Sequence, residues 1–96
     1  MNSLPMIPLF PAGQIVATPG ALALLEQAKK SPLEFLSRHL RGDWGELCPD
    51  DKTENELSLK HGYRLMSSYQ VTDAEKLWII TEADRSVTTL LLPTEY

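Results

Sequence analysis

The sequence predicts an α+β domain: two to three N-terminal helices packed on a C-terminal three-stranded antiparallel meander. Two observations carry this. Residues 64–96, RLMSSYQVTDAEKLWIITEADRSVTTLLLPTEY, hold most of the β-branched and aromatic residues, in three runs separated by short polar turns. Upstream, Thr18-Pro19 and Ser31-Pro32 each place a capping side chain and a proline at the start of an apolar repeat of helical spacing. A short fourth strand, Gln14–Ala17, is the open point of the topology, because that stretch reads equally as an edge strand or as the tail of an extended arm.

The elements follow in order. Residues 1–13 are expected to form an extended arm, since Pro5, Pro8 and Pro11 favour extended backbone and remove ladder donors; residues 14–96 form the single domain. The first helix starts at Thr18-Pro19, presents Leu22, Leu25 and Ala28 with Ala21 and Leu24 beside them, and closes at Lys29-Lys30, where cations suit the carbonyl end. The second opens on a capping box, Ser31-Pro32-Leu33-Glu34, aligns Leu33, Leu36 and Leu40, and stops at Gly42. For residues 50–61 two readings stand: a short exposed helix capped through Asp51 and Glu54, or a loop running into an early strand from Leu57. The meander then alternates over Leu65–Val71, Leu77–Glu82 and Val87–Leu92, with turns at Thr72–Glu75 and Ala83–Ser86 and a stop at Pro93.

Composition excludes several function classes. The chain has 96 residues, 43% hydrophobic and 23% charged, which suits one globular domain rather than a disordered segment. A net charge of −4 argues against direct nucleic-acid binding, which needs a basic surface. No apolar run approaches the roughly 20 residues of a membrane span, and the proline-broken start lacks the basic lead of a secretory signal. The lone cysteine, Cys48, permits no internal disulfide and points to a reducing, cytoplasmic setting.

No catalytic motif stands out. There is no phosphate-cradling glycine loop, nucleophile elbow, HExxH helix or paired-cysteine zinc pattern, so no cofactor or metal is expected. A metal set of His39, Asp43 and Asp50 can be written down, as can a Cys48–His nucleophilic pair, but their spacing demands neither. The candidate binding residues are Asp43, Trp44, Glu82, Asp84 and Arg85. Asp43-Trp44 sits between Gly42 and Gly45, a tight turn that aims the indole either into the end of the core or into a site. Glu82-Ala83-Asp84-Arg85 mounts two carboxylates and a guanidinium between two strong strands, where Arg85 either pairs locally or grips a carboxylate or phosphate. The aromatics Trp44, Tyr63, Tyr69, Trp78 and Tyr96 exceed what so small a core hides. Two or three of them on one open sheet face would make a protein-binding patch.

The segments FPAGQIVATPGALALL, FLSRHLRGDWG, HGYRLMSSYQ and LWIITEADRSVTTLLLPTEY together resemble a family of short proteins carried on bacterial plasmids, integrative elements and phage. The resemblance spans nearly the whole chain, with Asp43-Trp44-Gly45 and Trp78–Ser86 its most specific parts. It implies a mobile-element context and no particular activity.

Three functional readings follow. The first is a non-enzymatic protein-binding module, a regulatory or anti-defence factor of a mobile element, with a protein partner. The second is a small metal-dependent hydrolase or nuclease built on His39 and Asp43. The third is a structural homodimer, in which Val87–Leu92 pairs as an edge strand with its own copy.

Overall fold

The computed structural model describes residues 7–96. Four strands, β1 (Gln14–Ala17), β2 (Leu65–Gln70), β3 (Lys76–Thr81) and β4 (Val87–Leu91), form one sheet. Three helices, α1 (Pro19–Ala28), α2 (Pro32–Leu40) and α3 (Pro49–His61), precede its last three strands. The strand order is β1-β4-β3-β2. The β2-β3-β4 meander is antiparallel, with Ser67 opposite Ile79 and Ile79 opposite Leu90. Gln14–Ala17 is indeed a strand, and it pairs parallel to β4, which makes the sheet mixed. This corrects the third reading: β4 lies between β1 and β3, so Val87–Leu91 is an inner strand and not an edge.

Alternation sorts each strand onto two faces. Leu65, Ser67, Tyr69, Leu77, Ile79, Thr81, Thr88 and Leu90 point one way and are buried there. Ala21, Leu24, Leu25 and Phe35 from α1 and α2 pack on Tyr69, Leu77, Ile79 and Leu90. Leu36, Leu40, Trp44 and Phe10 close over Leu65. Phe10 belongs to this core, and Leu9 N–H donates to the Leu40 carbonyl at 2.9 Å. The part of the expected arm over residues 1–6 lies outside the described residues.

The helix starts follow their caps. Thr18 Oγ1 accepts from Ala21 N and Ser31 Oγ from Leu33 N, each with proline in the first turn. The stripes differ by a rotation from those expected. Leu22 and Leu33 are exposed, while Ala21, Leu24 and Leu25 in α1 and Phe35, Leu36, His39 and Leu40 in α2 are buried. The i, i+3, i+4 set that includes Phe35 and His39 buries more volume than the all-leucine line. The segment after Cys48 is a helix, not a loop entering a strand, and it begins at Pro49, two positions before the expected Asp51 cap. Gly62 ends it at φ 76°. Its apolar stripe is thin, so polar contacts hold it: Asn55 bonds the β2 backbone and Glu56 receives the Trp44 indole.

Candidate functional site

The Asp43–Trp44 loop is fastened at every position. Asp43 Oδ2 receives Arg38 Nε at 2.7 Å, and its Oδ1 receives Gly45 N at 3.2 Å. The Arg38 hydrogen bond holds the Asp43 carboxyl below its ordinary range, and the same contact raises Arg38. Tyr69 Oη donates to the Asp43 carbonyl at 2.6 Å, and Arg38 lies 4.6 Å over the Tyr69 ring. Burial pushes the Tyr69 phenol up. Trp44 is 3% exposed, stacked near Phe10 and donating Nε1–H to Glu56 at 2.9 Å. The indole plugs the end of the core and is not presented to solvent. Gly45, at φ 77°, bridges Ser68 so closely that a Cβ would drive into the Ser68 carbonyl.

Arg85 turns inward. At φ 61° it brings its guanidinium back under the turn, donating to the carbonyls of Tyr63 (2.6 Å), Glu82 (3.2 Å), Ala83 (3.3 Å) and Ser58 (3.1 Å). It also lies 5.7 Å over the Phe10 ring. A guanidinium so engaged ties the end of α3 to the β3–β4 turn and leaves little for a ligand. Asp84 is exposed, and its Oδ1 accepts from Ser86 N at 3.0 Å; the Ser86 hydrogen bonds hold this carboxyl below its usual range.

His39, named in the metal set, is fully buried. The reason is a chain of inward hydroxyls. The Ala12 carbonyl can only accept, so Thr88 donates to it at 2.7 Å. Thr81 must then donate to Thr88 at 2.8 Å, and His39 Nε2–H to Thr81 at 2.9 Å. That leaves Nδ1 to accept from Ser67 at 2.5 Å. Donor accounting thus selects the neutral imidazole with its proton on Nε2. Phe10 and Trp44 stand edge-on to the ring at 5.3 and 5.8 Å, and burial lowers the pKa to about 4. The inward positions of Ser67, Thr81 and Thr88, polar letters on the strand face that carries Leu65 and Ile79, were the sequence signal for a buried polar partner.

The hydrolase reading required His39 and Asp43 to converge in a pocket. Instead both imidazole nitrogens are engaged inside the core while the Asp43 carboxylate pairs with Arg38 at the surface. Among the described residues no three His, Cys, Asp or Glu side chains gather as a metal would need. Cys48 is exposed at the start of α3, with no bond to the sealed imidazole.

The other face of the sheet carries no helix, although Ile80 and Leu91 are buried on it. Met66, Trp78, Ile80, Thr89 and Leu91 point there, away from the helix-packed clusters. A short 3-10 turn, Pro93–Glu95, crosses against β3, and Tyr96 follows it, its ring 5.6 Å from Trp78 and nearly perpendicular. Arg64 sits over the Tyr96 ring, donates to its hydroxyl at 2.8 Å, and lies 3.9 Å from the Glu82 carboxylate. Tyr96 is 67% exposed. Of the nominated residues, Glu82 therefore belongs to this patch, whereas Asp43, Trp44 and Arg85 hold the core. Trp78 and Tyr96 share the open face, Trp44 and Tyr69 are interior, and Tyr63 stands apart beside His61.

No protein-family model, curated protein or solved structure matches the chain. Among the described residues, no helix is long and apolar enough to cross a membrane.

Proposed function

We propose that the protein is a non-enzymatic protein-binding module, serving a regulatory role for a bacterial mobile element, and that it meets its partner through the open sheet face around Trp78 and Tyr96. The observation that supports this reading is the Trp78–Tyr96–Arg64–Glu82 cluster, standing on a face that the helices leave uncovered. Tryptophan, tyrosine and arginine are the side chains that most often dominate binding energy, and the two aromatics bring large contact area at low conformational cost. Here β3 mounts Trp78, and Tyr96 and Arg64 pack on it and on each other, which lowers the ordering entropy that opposes docking.

The test is affinity capture from a plasmid-bearing bacterial host with the tagged chain, its Tyr96→Ala and Arg64→Ala variants, and the exposed Leu33→Ala as control. Both substituted side chains are exposed, so the fold is expected to survive. A protein retained by the parent and by Leu33→Ala, but at least about tenfold weaker with either patch variant, is the expected result. Equal retention by all four moves the site elsewhere, and an empty capture counts against the module.

A further inference from the structure

The two edges of the sheet are treated differently. At the β2 edge, Asn55 Nδ2 donates to the Met66 carbonyl at 2.6 Å and its Oδ1 accepts from Met66 N at 3.2 Å. Beyond it, Ser68 N donates to the Trp44 carbonyl and Glu46 N to the Ser68 carbonyl. That edge is closed. At the β1 edge, Gln14 N and Thr18 N donate inward to Ser86 and Leu90 of the β4 side. By alternation, the amide and carbonyl of Ile15 and of Ala17 point away from β4. Among the described residues no side chain or other element bonds them. Ile15 is 50% and Val16 38% exposed. None of the usual protections of an exposed edge is present within the strand: no lysine, no inward charge, no proline.

From this geometry we infer that β1 is a homodimerisation edge, where a second copy of this chain pairs antiparallel about a two-fold axis through Val16. That register is self-complementary. Ile15 of one copy faces Ala17 of the other, and each such pair exchanges two hydrogen bonds, four in all. The two Val16 side chains meet on the open face as a non-hydrogen-bonded pair, where side chains come closest.

Charge does not oppose a second copy at this edge. The chain carries a net charge of −4, yet residues 7–25 contain no charged side chain. Of the carboxylates at the two ends of β1, Glu95 is held by Thr18 and the Gly20 amide and Asp84 by the Ser86 amide. The acidic start of α3, with Asp50 and Asp51, lies with the helix that borders β2, at the far edge. Two copies can thus approach through β1 with their acidic ends apart. The product is a continuous eight-stranded sheet whose open faces lie on one side. This inference stands independently of the partner proposed for the Trp78–Tyr96 patch.

Sedimentation velocity and amide exchange on the full chain, from about 10 µM to about 1 mM, test it. The expected result is a concentration-dependent rise to twice the mass, with the Ile15 and Ala17 amides becoming protected in step while Val16 is protected throughout. Ile15→Pro deletes an outward donor without touching the β4 ladder, and Val16→Lys sets two ammonium groups face to face. Each should weaken association at least about tenfold, whereas Leu57→Lys, on the exposed side of α3, should leave it unchanged. A monomer at about 1 mM, a dimer that survives both edge variants, or Ile15 and Ala17 protection independent of concentration would each overturn the inference. Should Ile15→Pro fail to fold by circular dichroism, the exchange pattern of the unsubstituted chain still decides between these outcomes.

Discussion

His39 couples protonation to folding at a single residue. Its folded-state pKa falls from 6.5 to about 4 because burial disfavours the imidazolium. Unfolded chain therefore binds more protons than folded chain between those values, so stability rises with pH across that window. The contribution is fully present above about pH 6.5, drains as pH falls, and has gone below about 4, a swing of about 3 kcal/mol. Urea unfolding at steps between pH 7 and 4 should show it, and His39→Gln should flatten that dependence while lowering stability at pH 7. An unchanged slope in the variant would assign the proton elsewhere. This residue also marks where reading the sequence stopped short. Arg38, Arg41 and Gly42 frame His39 as an exposed helix end, and nothing local says that two strand hydroxyls, Ser67 and Thr81, each far away in the chain, converge on it. The same holds for Arg85, whose four carbonyl acceptors come from α3, the following coil and its own turn.

At the scale of elements, the meander was legible because each of its strands pairs with its neighbour in sequence, so alternation and turn residues suffice. The partner of β1 was not, because Gln14–Ala17 pairs with a strand some seventy residues later across every helix in the fold. Helix α3 was half legible: Gly62 announced its end, but its cohesion comes from polar bonds to β2 and Trp44 rather than from a stripe. That origin makes Asn55 the residue on which the docking of α3 turns. Replacing it by Ala removes both bonds to Met66 and leaves a strand amide and carbonyl to find water, a cost of about 2 kcal/mol. We expect a lower urea midpoint with an unchanged m-value, and faster exchange of the Met66 amide than of Ile79, which stays inside the sheet. Equal acceleration at both amides would mean that α3 and the sheet open as one unit.

At the scale of the whole molecule, residues 93–96 fasten the end of β4 both to the start of α1 and to the face that carries Trp78. The Glu95 carboxylate accepts from Thr18 Oγ1 at 2.5 Å, Leu92 N at 2.8 Å and Gly20 N at 3.3 Å, clasping the last strand to the start of α1. The Thr18 hydrogen bond, first among these, holds this carboxyl below its ordinary range. One residue on, Tyr96 lies against Trp78 and Arg64. Ile80 and Leu91 point to the face without helices, yet are only 4% and 7% exposed, and the 3-10 turn contacts β3. A chain ended at Leu92 should therefore differ from the full chain in two separable ways. Loss of Tyr96 uncovers apolar surface, so binding of a hydrophobic dye should rise, and Tyr96→Ala alone should reproduce most of that rise. Loss of Glu95 frees the amides at the start of α1, so Gly20 and Ala21 should exchange faster, and Glu95→Ala alone should reproduce that change without the dye signal. Because the segment covers part of the proposed contact face, a partner must either dock on Tyr96 in place or displace it. Weaker partner binding by the shortened chain supports the first, and tighter binding the second. A shortened chain with unaltered dye binding and exchange would show that the sheet keeps its open face without this cover.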